Sequence, residues 1–207
     1  MTEPKNVPMA VPTTGLSGAP SELRTGEFVL RPIAEADAGA DLEAVIESRD
    51  DLVGWEQSGW PADDFSVEDN RADLRLLAAD HVAGRRFTYT MTDLAGERAL
   101  GCVYVVPPTA RFLAAAAVES LSDLAWSDVD AAVYFWVRSG LVVSGLEERL
   151  VDALRRWFAR DWSLDHVVFV TTQDFTRQVE LLSSLGLHQV VLVREPVKPT
   201  PYVAFGS

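Results

Sequence analysis

One stretch limits the choice of fold more than any other. Ala131-Ala132-Val133-Tyr134-Phe135-Trp136-Val137 is an unbroken apolar run. Such a run fits a central strand covered on both faces, because a strand with one wet face would alternate apolar and polar residues. After a short break, Leu146, Leu150, Ala153, Leu154, Trp157 and Phe158 recur at helical spacing. A helix with one broad apolar face therefore follows the strand and packs on its sheet. A buried strand feeding an amphipathic helix calls for a layered α/β architecture.

The remaining chain supplies the other layers. Glu27-Phe28-Val29-Leu30-Arg31 reads as a strand closed by Pro32. Leu42, Val45 and Ile46 share a face of a helix that begins near Glu35. A loop with Gly54, Gly59 and Pro61 follows, then a helix capped by Ser66 and Asp69 with Leu74, Leu77 and Ala78 as its stripe. Phe87, Tyr89 and Met91 alternate with threonines, the pattern of a half-buried strand. Leu100 to Val106 is a further strand, stopped by Pro107-Pro108. Past the central segment come a strand (Val167–Val170), a helix (Phe175, Val179, Leu182) ended by Gly186, and a strand (Val190–Val193). Tyr202–Phe205 is a candidate edge strand. Residues 109–127 show no period and read as an insertion or lid. The expected organisation is a flexible tail over 1–25 and one domain over 26–207, a mixed sheet with helices on both faces.

Composition removes several function classes. The formal charge of −13 opposes nucleic acid, whose phosphates need clustered Lys and Arg, and it opposes an anionic membrane surface. Between Glu35 and Asp80 fourteen acidic residues face three arginines. They are either solvated helix faces or a field that gathers a cationic ligand such as an amine. Cys102 is the only cysteine, which points to a reducing, cytoplasmic setting and to a small core residue. The three histidines have no metal-ligand spacing, so no metal is expected. Gly-x-Ser-x-Gly and Walker motifs are absent.

The ordered set of segments resembles the GNAT acyltransferases, nearest the subgroup that acetylates ribosomal-protein N-termini. Phe28-Val29-Leu30-Arg31-Pro32 resembles the opening strand of that family, and Phe135-Trp136-Val137-Arg138 the end of its fourth strand. Gln173-Asp174-Phe175-Thr176-Arg177 through Leu185-Gly186-Leu187 resembles its closing helix and turn. The resemblance spans about Glu27 to Val193. It implies transfer of an acetyl group from acetyl-CoA to an amine of a small molecule or peptide. Trp136, Val137, Arg138, Val143, Ser144 and Gly145 are then the cofactor-binding residues, with a backbone N–H near Trp136 or Val137 as the carbonyl donor. Leu182 stands where many members carry an acidic Tyr.

The phosphate loop departs from the family pattern. In Val142-Val143-Ser144-Gly145 only Gly145 matches a family glycine, and Val142 replaces a basic or amide residue. Ser144-Gly145-Leu146-Glu147 fits a capping box, which would occupy the helix N-terminus with Glu147, and Glu148 adds a second carboxylate. A carboxylate at roughly 5 Å costs a phosphate charge about 3 kcal/mol at an effective dielectric of ~20. Weak or unusual acetyl-CoA binding is the expectation, with a non-catalytic GNAT-fold binding module as the alternative.

Glu56, between Trp55 and Trp60, is the candidate base, with desolvation by the two indoles as the device. Tyr134 is a second catalytic candidate, and Trp55, Trp60 and Tyr104 are candidate acceptor-site residues. The apolar 112–118 stretch reads equally as a homodimer patch or an internal lid.

Overall fold

The computed structural model describes Leu16 and residues 18–207. The chain runs through β1 (Leu23–Arg24), β2 (Val29–Pro32), a 3-10 turn (Glu35–Asp37), α1 (Ala38–Glu47), α2 (Arg49–Glu56), α3 (Val67–Val82), β3 (Phe87–Thr92) and β4 (Ala99–Val106). It continues with α4 (Arg111–Ala114), β5 (Ala117–Ser120), a turn (Trp126–Asp128), β6 (Ala131–Val137), α5 (Ser139–Val142) and α6 (Leu146–Trp157). A π-helical turn (Phe158–Trp162), β7 (Val167–Thr172), α7 (Thr176–Ser184), β8 (His188–Arg194) and β9 (Tyr202–Gly206) complete it.

The strands form one sheet in the order β1-β2-β3-β4-β6-β7-β9-β8-β5. Every neighbouring pair is antiparallel except β6 and β7. One face is covered by α6 and α7, whose Leu146, Leu150, Leu154, Trp157 and Leu182 pack on Tyr89, Val103, Phe135 and Phe169. The other face is covered by α1, α2 and α3, whose Val45, Leu52, Trp55 and Leu74 meet Cys102, Tyr134 and Val168. The expected mixed sheet with helices on both faces is the observed one.

Local chemistry explains the elements that hold the site. Ser66 caps α3: its hydroxyl accepts from the Asp69 N–H at 3.2 Å, while Asp69 accepts from the Ser66 N–H at 3.0 Å. Asp37 sets the entry of α1 by accepting from the Ala34 N–H and from both ends of the Arg31 guanidinium. The central helix α6 buries the apolar stripe expected of it. Each such leucine contributes about 2 kcal/mol of burial.

Several expectations need correction. Of the supposed tail, residues 1–15 and 17 lie outside the described residues, but Leu16 and Ala19 pack on the core and β1 joins the sheet. The domain therefore starts before residue 26. The buried face of α1 is Ala38, Asp41, Ala44 and Val45, while Ile46 is exposed, so the stripe is rotated from Leu42-Val45-Ile46. Gly54 lies inside α2 and Glu56 ends it, so Glu56 is helical and not in a loop. Tyr202–Gly206 is an interior strand between β7 and β8. The edge is β5, from the stretch read as an insertion or lid; within that stretch Leu113 is buried.

Candidate active site

The two parallel strands part company. Their register holds for Ala131–Val167, Ala132–Val168 and Val133–Phe169 and then ends. On its other side β6 stays paired with β4 as far as Gly101–Val137. The Arg138 N–H donates to the Leu100 carbonyl at 2.8 Å, so in this antiparallel alternation Val137 turns its N–H and C=O away from β4, into the gap. Gly101 makes this approach feasible, since a Cβ there would lie 2.2 Å from the Trp136 carbonyl oxygen. Within the gap the buried Gln178 of α7 donates from Nε2 to the Phe135 carbonyl at 3.1 Å. Around the parted ends Gln178 Oε1, Thr171 Oγ1, Thr172 Oγ1 and Glu147 Oε1 are buried without a partner among the described residues. Orphaned buried groups are rare and call for an explanation.

The loop after β6 differs from expectation. Gly145, with φ 73°, is the N-cap of α6, and the Ser144 hydroxyl donates to the Leu141 carbonyl at 2.6 Å. The capping box between Ser144 and Glu147 does not form, because Ser144 sits one residue too early and closes its own turn. Glu147 instead turns inward and pairs with Arg177, which also meets Asp51 at 3.4 Å. Burial raises the Glu147 pKa, with Arg177 opposing the rise. The carboxylate expected to repel phosphate is thus withdrawn and matched by a guanidinium.

The N–H groups of Leu141, Ser144 and Gly145 are consumed by nearby carbonyls, and that of Ser139 by the Ser48 hydroxyl. Those of Leu146, Glu147 and Glu148 have no intrahelical acceptor, the ordinary state of a helix first turn. Arg149 lies beside Gly145, with Nη1 donating to the Ser144 carbonyl at 2.8 Å and Nε to Glu27 at 2.5 Å. Val143 is 95 % exposed. The Arg138 guanidinium is not at the loop surface: it is buried against Glu47 at 2.6 Å and the Ala99 carbonyl.

Beside the parted strands, on the α1–α3 face, is a cavity of about 520 Å³. It gathers Glu56, Tyr134, Trp55, Trp60 and Tyr104, all expected at the site from sequence. Trp55 and Tyr104 stand 6.2 Å apart between ring centres, and the Trp136 indole donates to the Tyr104 hydroxyl at 3.4 Å. Trp136 and Val137 stay on the buried strand between cavity and gap. The Tyr134 hydroxyl is buried without a partner among the described residues. Burial, with Glu195 and Tyr202 nearby, holds its pKa well above the ordinary phenol value, so it keeps its proton.

Glu56 is held differently from the expectation of two desolvating indoles. Lys198 pairs with it at 2.7 Å and Ser58 donates to it. Lys198 and the Tyr202 hydroxyl also donate to its backbone carbonyl. The connection from β8 to β9 therefore fastens the end of α2.

The cavity also holds polar residues that the sequence reading passed over: Asp41, Asn70, Asp73, Glu195, Lys198 and Arg86. Asp41 is raised to about 6, chiefly by burial, with Asn70 opposing and Asp37 adding to the rise. Asp73 and Glu195 are raised by burial as well. One signal could have found Asp41. It interrupts the small apolar positions Ala38, Ala44 and Val45 on one helix face, where a carboxylate has no structural reason to be.

No family model matches this chain, and no curated protein matches it. Solved structures do. RimL, a ribosomal L7/L12 alpha-N-protein acetyltransferase in complex with coenzyme A, is similar with a TM-score of 0.66 and 14% identity, over 90% of this chain and 97% of that one. RimJ of Mycobacterium smegmatis in complex with CoA-disulfide gives 0.64 at 16% identity, over 87% of this chain and 81% of that one. The microcin C7 self immunity acetyltransferase MccE, in complex with acetyl-CoA and AMP, gives 0.65 at 12% identity, over 92% and 98%.

The chain has the GNAT fold. In this GNAT-fold chain the strands that part are β6 and β7, and the loop that follows the first of them leads through α5 into the N-terminus of α6. Among the described residues no helix is long and apolar enough to cross a membrane, and no group of His, Cys, Asp or Glu could hold a metal.

Proposed function

We propose that this protein is an acyltransferase that moves an acetyl group from acetyl-CoA to an amine. The observation that carries the reading is the meeting of two features at β6: an unpaired strand edge at Val137 and, on the adjoining face, an acidic aromatic cavity containing Tyr134.

The chain's own groups fit the cofactor. A pantetheine arm carries two amides, and the gap offers the Val137 N–H and C=O together with the orphaned Gln178 Oε1, Thr171 and Thr172 hydroxyls. For the pyrophosphate, the first-turn N–H groups of α6 remain, with Arg149 beside Gly145 as the cation that Val142 does not supply. Glu147, pointing inward to Arg177, no longer opposes an anion there. Acetyl-CoA supplies the thioester; the protein holds it, keeps a proton on Tyr134 for the departing thiolate, and presents the amine from the cavity. Two carboxylates can receive the amine's proton: Glu56 at the Lys198 ion pair and Asp41 in the interior.

The acceptor is a small-molecule or peptide amine. RimL is a ribosomal L7/L12 alpha-N-protein acetyltransferase, which makes a peptide amine a reasonable acceptor here. Release of free thiol from acetyl-CoA in the presence of a panel of primary amines and peptides tests the activity. Acceptor-dependent thiol release that falls about tenfold or more in Tyr134→Phe supports it. No release with any amine, from a chain that still binds acetyl-CoA, would identify a non-catalytic binding module instead.

A further inference from the structure

The interior of the cavity contains buried polar atoms that the chain leaves unsatisfied. Asp41 of α1 is 4 % exposed and Asn70 of α3 is 1 % exposed. Asn70 Nδ2 donates to the Ala38 carbonyl and to Asp41 Oδ2, both at 3.0 Å. A backbone carbonyl can only accept, so this fixes the orientation of the amide. Asn70 Oδ1 is then the free end, and it has no partner among the described residues.

Among the described residues no cation compensates Asp41. Arg31 is committed to Asp37, Arg86 to Asp80 and Lys198 to Glu56. A buried carboxylate with one amide donor and no counter-ion is costly to keep, and it persists where a ligand completes it. The groups available to that ligand at this point, the Asp41 carboxylate and Asn70 Oδ1, only accept hydrogen bonds. Trp55 and Tyr104 line the same cavity, aromatic faces that favour a cation and its hydrocarbon stem.

We propose that Asp41 and Asn70 form the seat for a primary ammonium group of the acceptor. Its N–H groups donate to the Asp41 carboxylate and to Asn70 Oδ1, and its stem lies along Trp55 and Tyr104. An alcohol would leave the carboxylate without a counter-ion, and an anion would meet Asp41, Asp73 and Glu195. The identity of this ammonium as the reacting amine rests on the acyl-transfer reading; the seat itself does not. In the reaction one proton passes from the ammonium nitrogen to Asp41. The freed lone pair forms the C–N bond to the acyl carbon as the C–S bond breaks; the thiolate takes the Tyr134 proton, and the second proton of the nitrogen returns to the Tyr134 phenolate, leaving a neutral amide.

Asp37 beside α1, Cys102 and Tyr104 of β4, and Asn70 and Asp73 of α3 are the polar groups around Asp41. Burial raises the Cys102 thiol and the Tyr104 phenol, so both stay neutral at ordinary pH. Asp41 itself becomes fully charged only above about pH 6.

Titration calorimetry with phenethylamine, a cation at about pH 7.5, against the neutral 3-phenyl-1-propanol reads the seat in the absence of acetyl-CoA. The ammonium should bind saturably and the alcohol about tenfold more weakly or worse. Asp41→Asn should remove about tenfold or more of the ammonium affinity and leave the alcohol unchanged. Asp41→Ala serves as a second variant should the first fail to fold. Wild-type affinity for the ammonium should also fall below about pH 6, as Asp41 takes up a proton, and Asp41→Asn should flatten that fall. Equal affinity for ammonium and alcohol, no ammonium binding at millimolar concentration, or affinity that survives substitution overturns the proposal. Ammonium binding by a chain that binds no acetyl-CoA would keep the seat and reject the acyl-transfer reading.

Discussion

The Trp157 cluster on one face of the sheet and the cavity on the other are built by opposite rules. Under α6 the interior is a continuous aromatic cluster: Trp157 meets Tyr89 at 5.1 Å, Phe158 at 5.5 Å and Trp162 at 5.7 Å between ring centres. Under α1, α2 and α3 the same sheet faces a cavity of about 520 Å³ with a buried carboxylate and unpartnered polar atoms. The Trp157 cluster gains from filling its space, as interiors normally do. The other face retains empty volume and uncompensated charge, which cost stability. The contrast teaches that the Trp157 cluster is a centre of stability, while the cavity under α1–α3 gives some stability up to keep a site.

The largest effect expected from this contrast compares two tryptophans. Trp157→Ala should destabilise the protein by about 4 kcal/mol, because it empties a closed aromatic cluster. Trp55→Ala, beside space that is already open, should cost no more than about 2 kcal/mol. Urea denaturation of both variants reads the difference, and equal losses would break the comparison.

Asp41→Asn should move in the opposite direction. The folded-state pKa of about 6 lies above the ordinary carboxyl value of 3.8, so the folded form binds the proton more tightly. Stability then falls as pH rises from about 4 to about 6 and stays lowered above that. Removing the charge should stabilise the protein by about 3 kcal/mol at neutral pH, from roughly two pKa units at 1.36 kcal/mol each. The gain should vanish below about pH 4. Thermal or urea unfolding across that range checks it; a destabilised variant at neutral pH would mean that Asp41 is compensated after all.

Gly101→Ala should cost about 2 kcal/mol by forcing β4 away from β6 beside Val137, measured again by urea denaturation. The smallest effect concerns neither face. Ser66→Ala should lose about 1 kcal/mol by uncapping α3, and leave amine binding unchanged in the calorimetric titration, since its hydrogen bonds stay within the helix start.

Much of this architecture was legible in the sequence for a physical reason. A strand buried on both faces and a strongly amphipathic helix leave periodic traces, so Ala131–Val137 and Leu146–Trp157 were found nearly residue for residue. The cavity aromatics were legible too, since Trp55, Trp60, Tyr104 and Tyr134 are large groups on elements that meet. Strand order was harder: five buried residues at Tyr202–Gly206 look alike at an edge or in the interior, and only long-range pairing decides. The inward turn of Glu147 depends on Arg177, thirty positions away. The Ser144 hydroxyl was misread because a one-residue shift of the helix start changes which side chain can cap it. Asp41 was hidden by its neighbours, since a carboxylate in an acidic segment reads as solvated until the helix is seen to turn it inward.

The central claim is that the parted edge of β6 receives acetyl-CoA. Titrating acetyl-CoA into isotope-labelled protein and following the Val137 amide resonance tests it most directly. The account predicts a saturable shift of Val137, accompanied by the first-turn amides Leu146, Glu147 and Glu148. A spectrum unchanged at these positions in millimolar acetyl-CoA would contradict it.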